Sequence, residues 1–258
     1  MKVPIPAQPK RKLGQNFLRD QNVLQKITSF IDPKPDDQIL EIGAGTGALT
    51  SHLAGHLTAV EIDESLIPFL QTIPNVKVMH DDIRNVNIAE IAGHKRLRVV
   101  GNLPYYISTP ILSFLLENSK LISDMVLMFQ EEVADRIVAK PSESEYSLMS
   151  VLSQYYCEID RGFRISRNCF VPRPDVDSRI LKFRIQTGWK LPFPEYHDFL
   201  TKAFSQRRKK LRNNLLRTLG ISAAKLDSIF AEMGLGANDR AENLTPQQYE
   251  RLILETRK

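Results

Sequence analysis

The feature that most narrows the possible folds is a rhythm. Apolar runs of strand length at 38–42, 57–62, 76–80, 97–101 and 125–129 alternate with segments of helical periodicity as far as about residue 140. Strands separated by helices build βαβ units, and a series of such units makes a doubly wound parallel sheet. The expected fold class is α/β, with ligands taken up at the C-terminal ends of the strands. At 258 residues and 42% hydrophobic, the chain is long and apolar enough to bury a full core.

The residues at the end of each strand suggest the chemistry. The first strand carries Glu41 near its end and runs into Gly43-Ala44-Gly45-Thr46-Gly47, with a helix expected over 48–54. Glycines between strand and helix let a ligand approach the backbone at a helix N-terminus. The second strand ends on Glu61, Ile62 and Asp63, and Glu61 stands 18 positions after Gly43. An acid at that distance is placed to accept ribose hydroxyls. The spacing is G-x-G-x-G, not the G-x-G-x-x-G of dinucleotide binders, which disfavours an NAD-dependent dehydrogenase. No lysine comes after it to hold phosphate, which excludes a P-loop. The third strand ends on Asp81-Asp82, with Ile83 next. Either this pair supplies an acceptor for an adenine amine, or it caps a helix.

Residues 99–108 read V-V-G-N-L-P-Y-Y-I-S. A β-branched strand breaks at Gly101, and Pro104 fixes its own φ and biases Leu103 to an extended conformation. The result is a stiff loop at a strand end, carrying an amide (Asn102) beside a rigid aromatic (Tyr105). The amide oxygen and neighbouring carbonyls can accept from an exocyclic amine, and the ring can stack on a base. The alternative is an ordinary strand-to-helix turn with its tyrosine in the core. Farther on, Phe170 opens a loop stiffened by Pro172 and Pro174. Phe170 either closes a stacking sandwich with Tyr105 or anchors the core.

Net charge is +5. Residues 1–12 hold three prolines and four basic residues, including Lys10, Arg11 and Lys12, and read as a basic arm without an apolar signal core. A single helix is expected over 199–219, and from Lys202 to Arg217 it carries seven basic residues and no acidic one. A face of one sign, with Arg207, Arg208, Lys209, Lys210 and Arg212 at its centre, suits a polyanion; the alternative is a solvated face. Two cysteines in such a chain suggest a reducing compartment, and the five histidines show no metal-ligand spacing. No apolar run approaches a membrane span.

N-F-L (16–18), E-I-G-A-G-T-G-A-L-T (41–50), V-E-I-D (60–63), D-D-I (81–83), N-L-P-Y-Y-I-S (102–108) and F-V-P-R-P-D-V-D-S (170–178) occur in one chain. The set closely resembles the KsgA/RsmA family, S-adenosylmethionine-dependent small-subunit ribosomal RNA adenine dimethyltransferases. The resemblance runs from Leu13 through the basic segment 203–215. It implies a Rossmann-like methyltransferase sheet of seven strands over 1–186 and a small helical RNA- and ribosome-binding domain over 187–258. It implies S-adenosylmethionine among Asn16, Leu18, Gly43, Gly45, Glu61, Ile62, Asp82, Ile83 and Asn102, with Glu61 on the ribose hydroxyls and Asp82 on the adenine amine. It implies an adenine of the RNA among Asn102, Leu103, Pro104, Tyr105 and Phe170. The implied product is two adjacent adenosines near the 3′ end of 16S rRNA, each dimethylated at the exocyclic amine. The expected setting is a cytoplasmic monomer acting on the small subunit and in its biogenesis, without metal or membrane. Two other readings stand beside it. Large-subunit rRNA adenine methyltransferases share N-L-P-Y, and an assembly or transcription factor could keep the fold without catalysis.

Overall fold

The computed structural model describes residues 9–258, and of Arg11 only the backbone. Most of the basic arm expected over 1–12 therefore lies outside the described residues. The chain divides into two compact units. The first holds the residues up to Ala134 together with Ile159–Ile185, and the second holds Asp135–Glu158 and Gln186–Lys258. This division is not the linear one at residue 186, because a stretch from the middle of the chain belongs with its C-terminal part.

In chain order the elements are β1 (Phe17–Leu18), α1 (Gln21–Ile31), β2 (Gln38–Ile42), β3 (His56–Glu61), α2 (Ile67–Leu70), β4 (Val76–His80), α3 (Ile88–Ala92), β5 (Leu97–Asn102), α4 (Ser108–Glu117), β6 (Ile122–Gln130), α5 (Glu131–Val138), α6 (Leu148–Tyr156), β7 (Cys157–Asp160), β8 (Arg164–Ile165), β9 (Phe170–Val171), β10 (Ser178–Ile185), α7 (Phe193–Ala203), α8 (Leu211–Leu219), α9 (Ala223–Met233) and α10 (Pro246–Arg257). The main sheet runs β4-β3-β2-β5-β6-β10-β7, and β8 pairs with β10 off that path. That is seven strands in line, as the resemblance implies, plus one two-residue strand. β2 to β6 are parallel neighbours and β10 is antiparallel to β6.

The register places the chemistry. β2 lies between β3 and β5, with Ile42 opposite Val60 on one side and Gly101 on the other. The glycine loop after Ile42 therefore emerges between Glu61 and Asn102. Strands covered on both faces need apolar side chains on both. Ile39, Leu40, Val99, Val100 and Leu127 are each 0–1% exposed. α1 begins at Asp20, whose carboxylate accepts from the Val23 amide at 3.0 Å, and buries Leu24, Ile27 and Ile31 at helical spacing.

Two helical expectations fail. Only a short 3₁₀ turn, Thr50–His52, stands in place of the helix expected over 48–54. The helix expected over 199–219 is two helices, α7 and α8, with the basic run Arg207–Lys210 in the turn between them. In a continuous helix Arg207 and Lys210, and Arg208 and Arg212, would be like-charged neighbours three and four positions apart, which repel. The buried Asn214 side chain instead holds the turn, donating to the carbonyls of Ala203 (2.8 Å) and Gln206 (3.1 Å). Between α6 and β9 the chain forms two short strands, β7 and β8, rather than one continuous strand.

The second unit has an aromatic core. Tyr155 stacks on Tyr196 with ring centroids 4.0 Å apart. The hydroxyls of Tyr146, Tyr196 and Tyr249 donate to the carbonyls of Leu244, Pro246 and Ala241. Buried phenols are tolerated because each finds such a partner. α10 starts with the capping box its sequence signals, Thr245 with Gln248 and Pro246 at the first position. Among the described residues no helix is long and apolar enough to cross a membrane.

Candidate active site

Three loops at the C-terminal ends of β2, β3 and β5 meet the segment 13–18. Gly43, Gly45 and Gly47 all have positive φ, a region closed to most side chains. At Gly45 a Cβ would also come within 3.2 Å of the Phe17 ring. The loop thus leaves its backbone bare toward the cleft.

Glu61 secures this loop. Its Oε2 accepts from the Gly45 amide at 2.8 Å and its Oε1 from the Asp63 amide at 2.9 Å. Burial raises its pKa, with those two amide bonds opposing the shift. Asp63, only 1% exposed, faces Lys10 Nζ (2.6 Å), Gln15 Nε2 (2.7 Å) and the Ser65 amide and hydroxyl. Burial works against its ionisation, but the bonds from Lys10, Ser65 and Gln15 outweigh it and bring the carboxyl to about 2. Lys10, expected on RNA, is thus drawn to Asp63, whereas Lys12 is exposed.

Asn102 closes β5. Its Nδ2 donates to the Asn16 carbonyl at 3.0 Å, which leaves the side-chain oxygen as the free acceptor. Gly101 before it admits no side chain, because a Cβ would lie 2.7 Å from the Ile42 carbonyl oxygen. Leu103 is 1% exposed, so its side chain anchors the loop and only its backbone is available for chemistry. Tyr105 is half-buried, and its hydroxyl meets Ser178 Oγ at 2.7 Å. Asn16, Glu61, Ile62, Asn102, Pro104 and Tyr105 all line one cavity, which also takes in Gly43 and Gly45.

A second, apolar slot adjoins it, lined by Gly43, Ile62, Asp81, Asp82, Ile83 and Pro104. Of the two alternatives for the Asp81-Asp82 pair, the structure shows the cap. Asp82 caps the 3₁₀ turn Ile83–Asn85 through the Arg84 amide (3.0 Å), and Arg84 also pairs with its carboxylate, lowering its pKa. It still borders the slot.

Phe170 is placed otherwise than expected. It is 2% exposed, pairs with Leu18 across the small β1–β9 sheet, and packs in a core cluster with Leu24, Ile27 and Ile180. No ring face is free for a base, because its short strand turns the side chain into that apolar cluster. Leu18 joins the same cluster.

The basic residues are likewise not a uniform face. Arg207 donates to the carbonyls of Ser144 and Tyr146 at 2.9 Å and reaches Glu242, and Arg212 pairs with Asp227. Arg208, Lys209 and Lys210 stand exposed. The acidic partners lie 15 and 35 positions away in sequence, so local charge counting misses them.

One residue outside the expected set belongs here. Glu41 is 2% exposed, lines a cavity with Gly43, Thr46 and Asn102, and its Oε2 has no hydrogen-bond partner. Burial pushes its carboxyl up to about 8, with Glu61 adding to the shift and Thr50 opposing it. Its place at the end of the first strand, two positions before Gly43, is the signal in the sequence.

The donor set suits S-adenosylmethionine. A buried carboxyl with one oxygen left unpartnered complements a cationic ligand, the glycine loop admits close approach, Glu61 suits hydroxyls, and the Ile62–Ile83 slot bordered by Asp82 suits a purine carrying an amine. Among the described residues no three His, Cys, Asp or Glu side chains cluster as a metal site would require.

A family model described as ribosomal RNA adenine dimethylase matches residues 7–258. A ribosomal RNA small subunit methyltransferase A from Chlorobium phaeobacteroides is 40% identical over 253 residues, covering 96% of this chain and 91% of that one. One from Streptococcus gordonii is 41% identical, covering 94% and 90%. Among solved structures, a dimethyladenosine transferase from Plasmodium falciparum superposes with a TM-score of 0.77 at 26% identity, covering 93% of this chain and 97% of that one. The 23S rRNA methyltransferase ErmE superposes with a TM-score of 0.69 at 25% identity, covering 94% and 100%.

Proposed function

The chain belongs to the ribosomal RNA adenine dimethylase family, and from that premise we propose that it dimethylates adenine amines of small-subunit rRNA with S-adenosylmethionine as donor. The targets we propose are two adjacent adenosines near the 3′ end of 16S rRNA, modified by a cytoplasmic monomer during subunit biogenesis. Both relatives near 40% identity are named for the small subunit, whereas ErmE, named for 23S rRNA, stands at 25%. That difference favours the small subunit as substrate over the large one.

The observation that carries the reading is the tethered amide of Asn102. The lone pair of an adenine amine is delocalised into the ring and is a poor nucleophile. Asn102 Oδ1 accepts one amine hydrogen and the Leu103 carbonyl the other, which favours a pyramidal nitrogen. Tyr105 offers the base a stacking face, worth about 1–3 kcal/mol. The target base leaves its stack to reach this loop. When bound, S-adenosylmethionine supplies a methyl group already activated on sulfonium, so orientation matters more than a strong base. Glu61, Asp82 and the glycine loop hold and orient the donor, and Glu41 faces its positive charge. Arg208, Lys209 and Lys210 contact phosphates.

Labelled methyl transfer to unmethylated small subunits, with the modified nucleotides identified, tests this. Dimethyladenosine at adjacent positions supports it; label on another nucleotide, or none, refutes it.

A further inference from the structure

Among the described residues, four large apolar side chains stand out into solvent, and Tyr106 is the most exposed at 57%. The others are Ile62, Val171 and Val176. All four lie in the first unit on segments that frame the cleft. Ile62 lines it, Val171 pairs with Phe17, and Val176 stands two residues before Ser178, the partner of Tyr105. Apolar surface left exposed around a concave site marks a place where something docks.

Tyr106 is held in place there. It sits in the 3₁₀ turn Tyr105–Ile107, between Pro104 and the start of α4. One edge of its ring lies against Gly14, where a Cβ would come to 3.0 Å from Cδ1 and 3.3 Å from Cε1. Gly14 also has φ +60°, so glycine there serves both the bend and the close approach. The ring is backed by Gly14 and otherwise largely open to solvent. The two consecutive tyrosines are therefore placed for different tasks. Tyr105 is tethered to Ser178 at the base site, while Tyr106 is presented to solvent at its rim.

We propose that Tyr106 is a positioning residue, a stacking platform for the nucleobase that flanks the flipped adenosine. This rests on the proposed action at two adjacent adenosines. When one base leaves the stack, its neighbour loses a partner on one face, and an exposed ring beside the pocket replaces it. With adjacent targets each adenosine is in turn the neighbour of the other, so one platform serves both rounds. Stacking of one base on a ring corresponds to roughly 10- to 100-fold in affinity.

The test compares full-length wild type with Tyr106→Ala, Tyr106→Leu and Tyr106→Phe on unmethylated small subunits, reading kcat, KM for the subunit and, by calorimetry, donor affinity. The expected result for Tyr106→Ala is a subunit KM raised about 10-fold or more, with kcat and donor affinity close to wild type. Tyr106→Phe is expected to restore KM, and Tyr106→Leu, which still packs on Gly14 but cannot stack, is expected to stay impaired. An unchanged KM for Tyr106→Ala, full rescue by leucine, or a parallel loss of donor affinity overturns the proposal while leaving the enzyme reading intact. A wild-type protein that methylates no adenine overturns that reading and this proposal with it.

Discussion

The Asn102 side-chain nitrogen donates to the Asn16 carbonyl at 3.0 Å, across 86 positions of sequence. The bond orients an amide that could otherwise flip, and it ties the strand end at β5 to the segment leading into β1. With its nitrogen occupied, the amide has its oxygen left for a substrate amine.

Asn102→Ala is accordingly expected to fold and to lose about 10²–10³ in the rate of methyl transfer, the usual cost of removing a donor or acceptor specific to the transition state. Donor affinity is expected to fall only several-fold, the worth of one neutral hydrogen bond. Single-turnover assays at saturating donor separate the two effects. A wild-type rate would remove Asn102 from the mechanism.

Glu41 predicts a pH dependence in the donor-free protein. Its carboxyl is raised from an ordinary 4.5 to about 8 by burial. An acid raised in the folded state contributes stability fully below its unfolded pKa and loses it as pH climbs through the folded one. Between pH 6 and 8 the melting temperature is expected to fall, by roughly 2–4 °C for each kcal/mol lost and about 1.4 kcal/mol per pH unit at most. Glu41→Gln is expected to flatten most of that slope in thermal melts. A variant as pH-sensitive as wild type would assign the slope elsewhere, with Glu61 next in line.

The turn between α7 and α8 separates binding from structure. Arg208→Glu with Lys209→Glu is expected to weaken subunit binding and reduce its salt dependence by about one unit of slope per lost phosphate contact, with thermal stability unchanged. Arg207→Glu is expected instead to destabilise by about 1–2 kcal/mol, because the Ser144 and Tyr146 carbonyls lose their donor and Glu242 keeps only Arg240. Binding titrations over a salt series, beside thermal melts, check both; equal effects of the two variants on binding and stability would contradict this division.

Phe170→Ala is expected to cost about 3–5 kcal/mol of stability, as for a fully buried aromatic. A ring used only to stack on a base would leave stability untouched when removed. Chemical denaturation distinguishes these outcomes.

Much of this protein is written in short stretches of its chain. The strand at 38–42, the glycine turn after it, the Glu61 beyond that turn and the box at Thr245–Gln248 are local signals, because strand period, positive φ and helix capping depend on residues within a turn or two. The N-L-P-Y loop is legible for the same reason, since Pro104 and Gly101 constrain it from within. Other features rest on partners far away in sequence. Tyr105 finds Ser178 73 positions on, Asn102 finds Asn16, and Asp63 finds Lys10. A buried carboxyl such as Glu41 shows its unusual state only once walls close around it. Phe170 could have been a stacking ring or a core anchor by composition alone, and the pairing of Leu18 with it, together with the cluster behind, settled the matter. The one-sign basic run looked uniform until Glu242 and Asp227 came to meet it. Propensity and spacing act along the chain, whereas burial and pairing act through space, so sequence determined the elements and the loops that carry chemistry while tertiary structure decided which side chains remain free to use it.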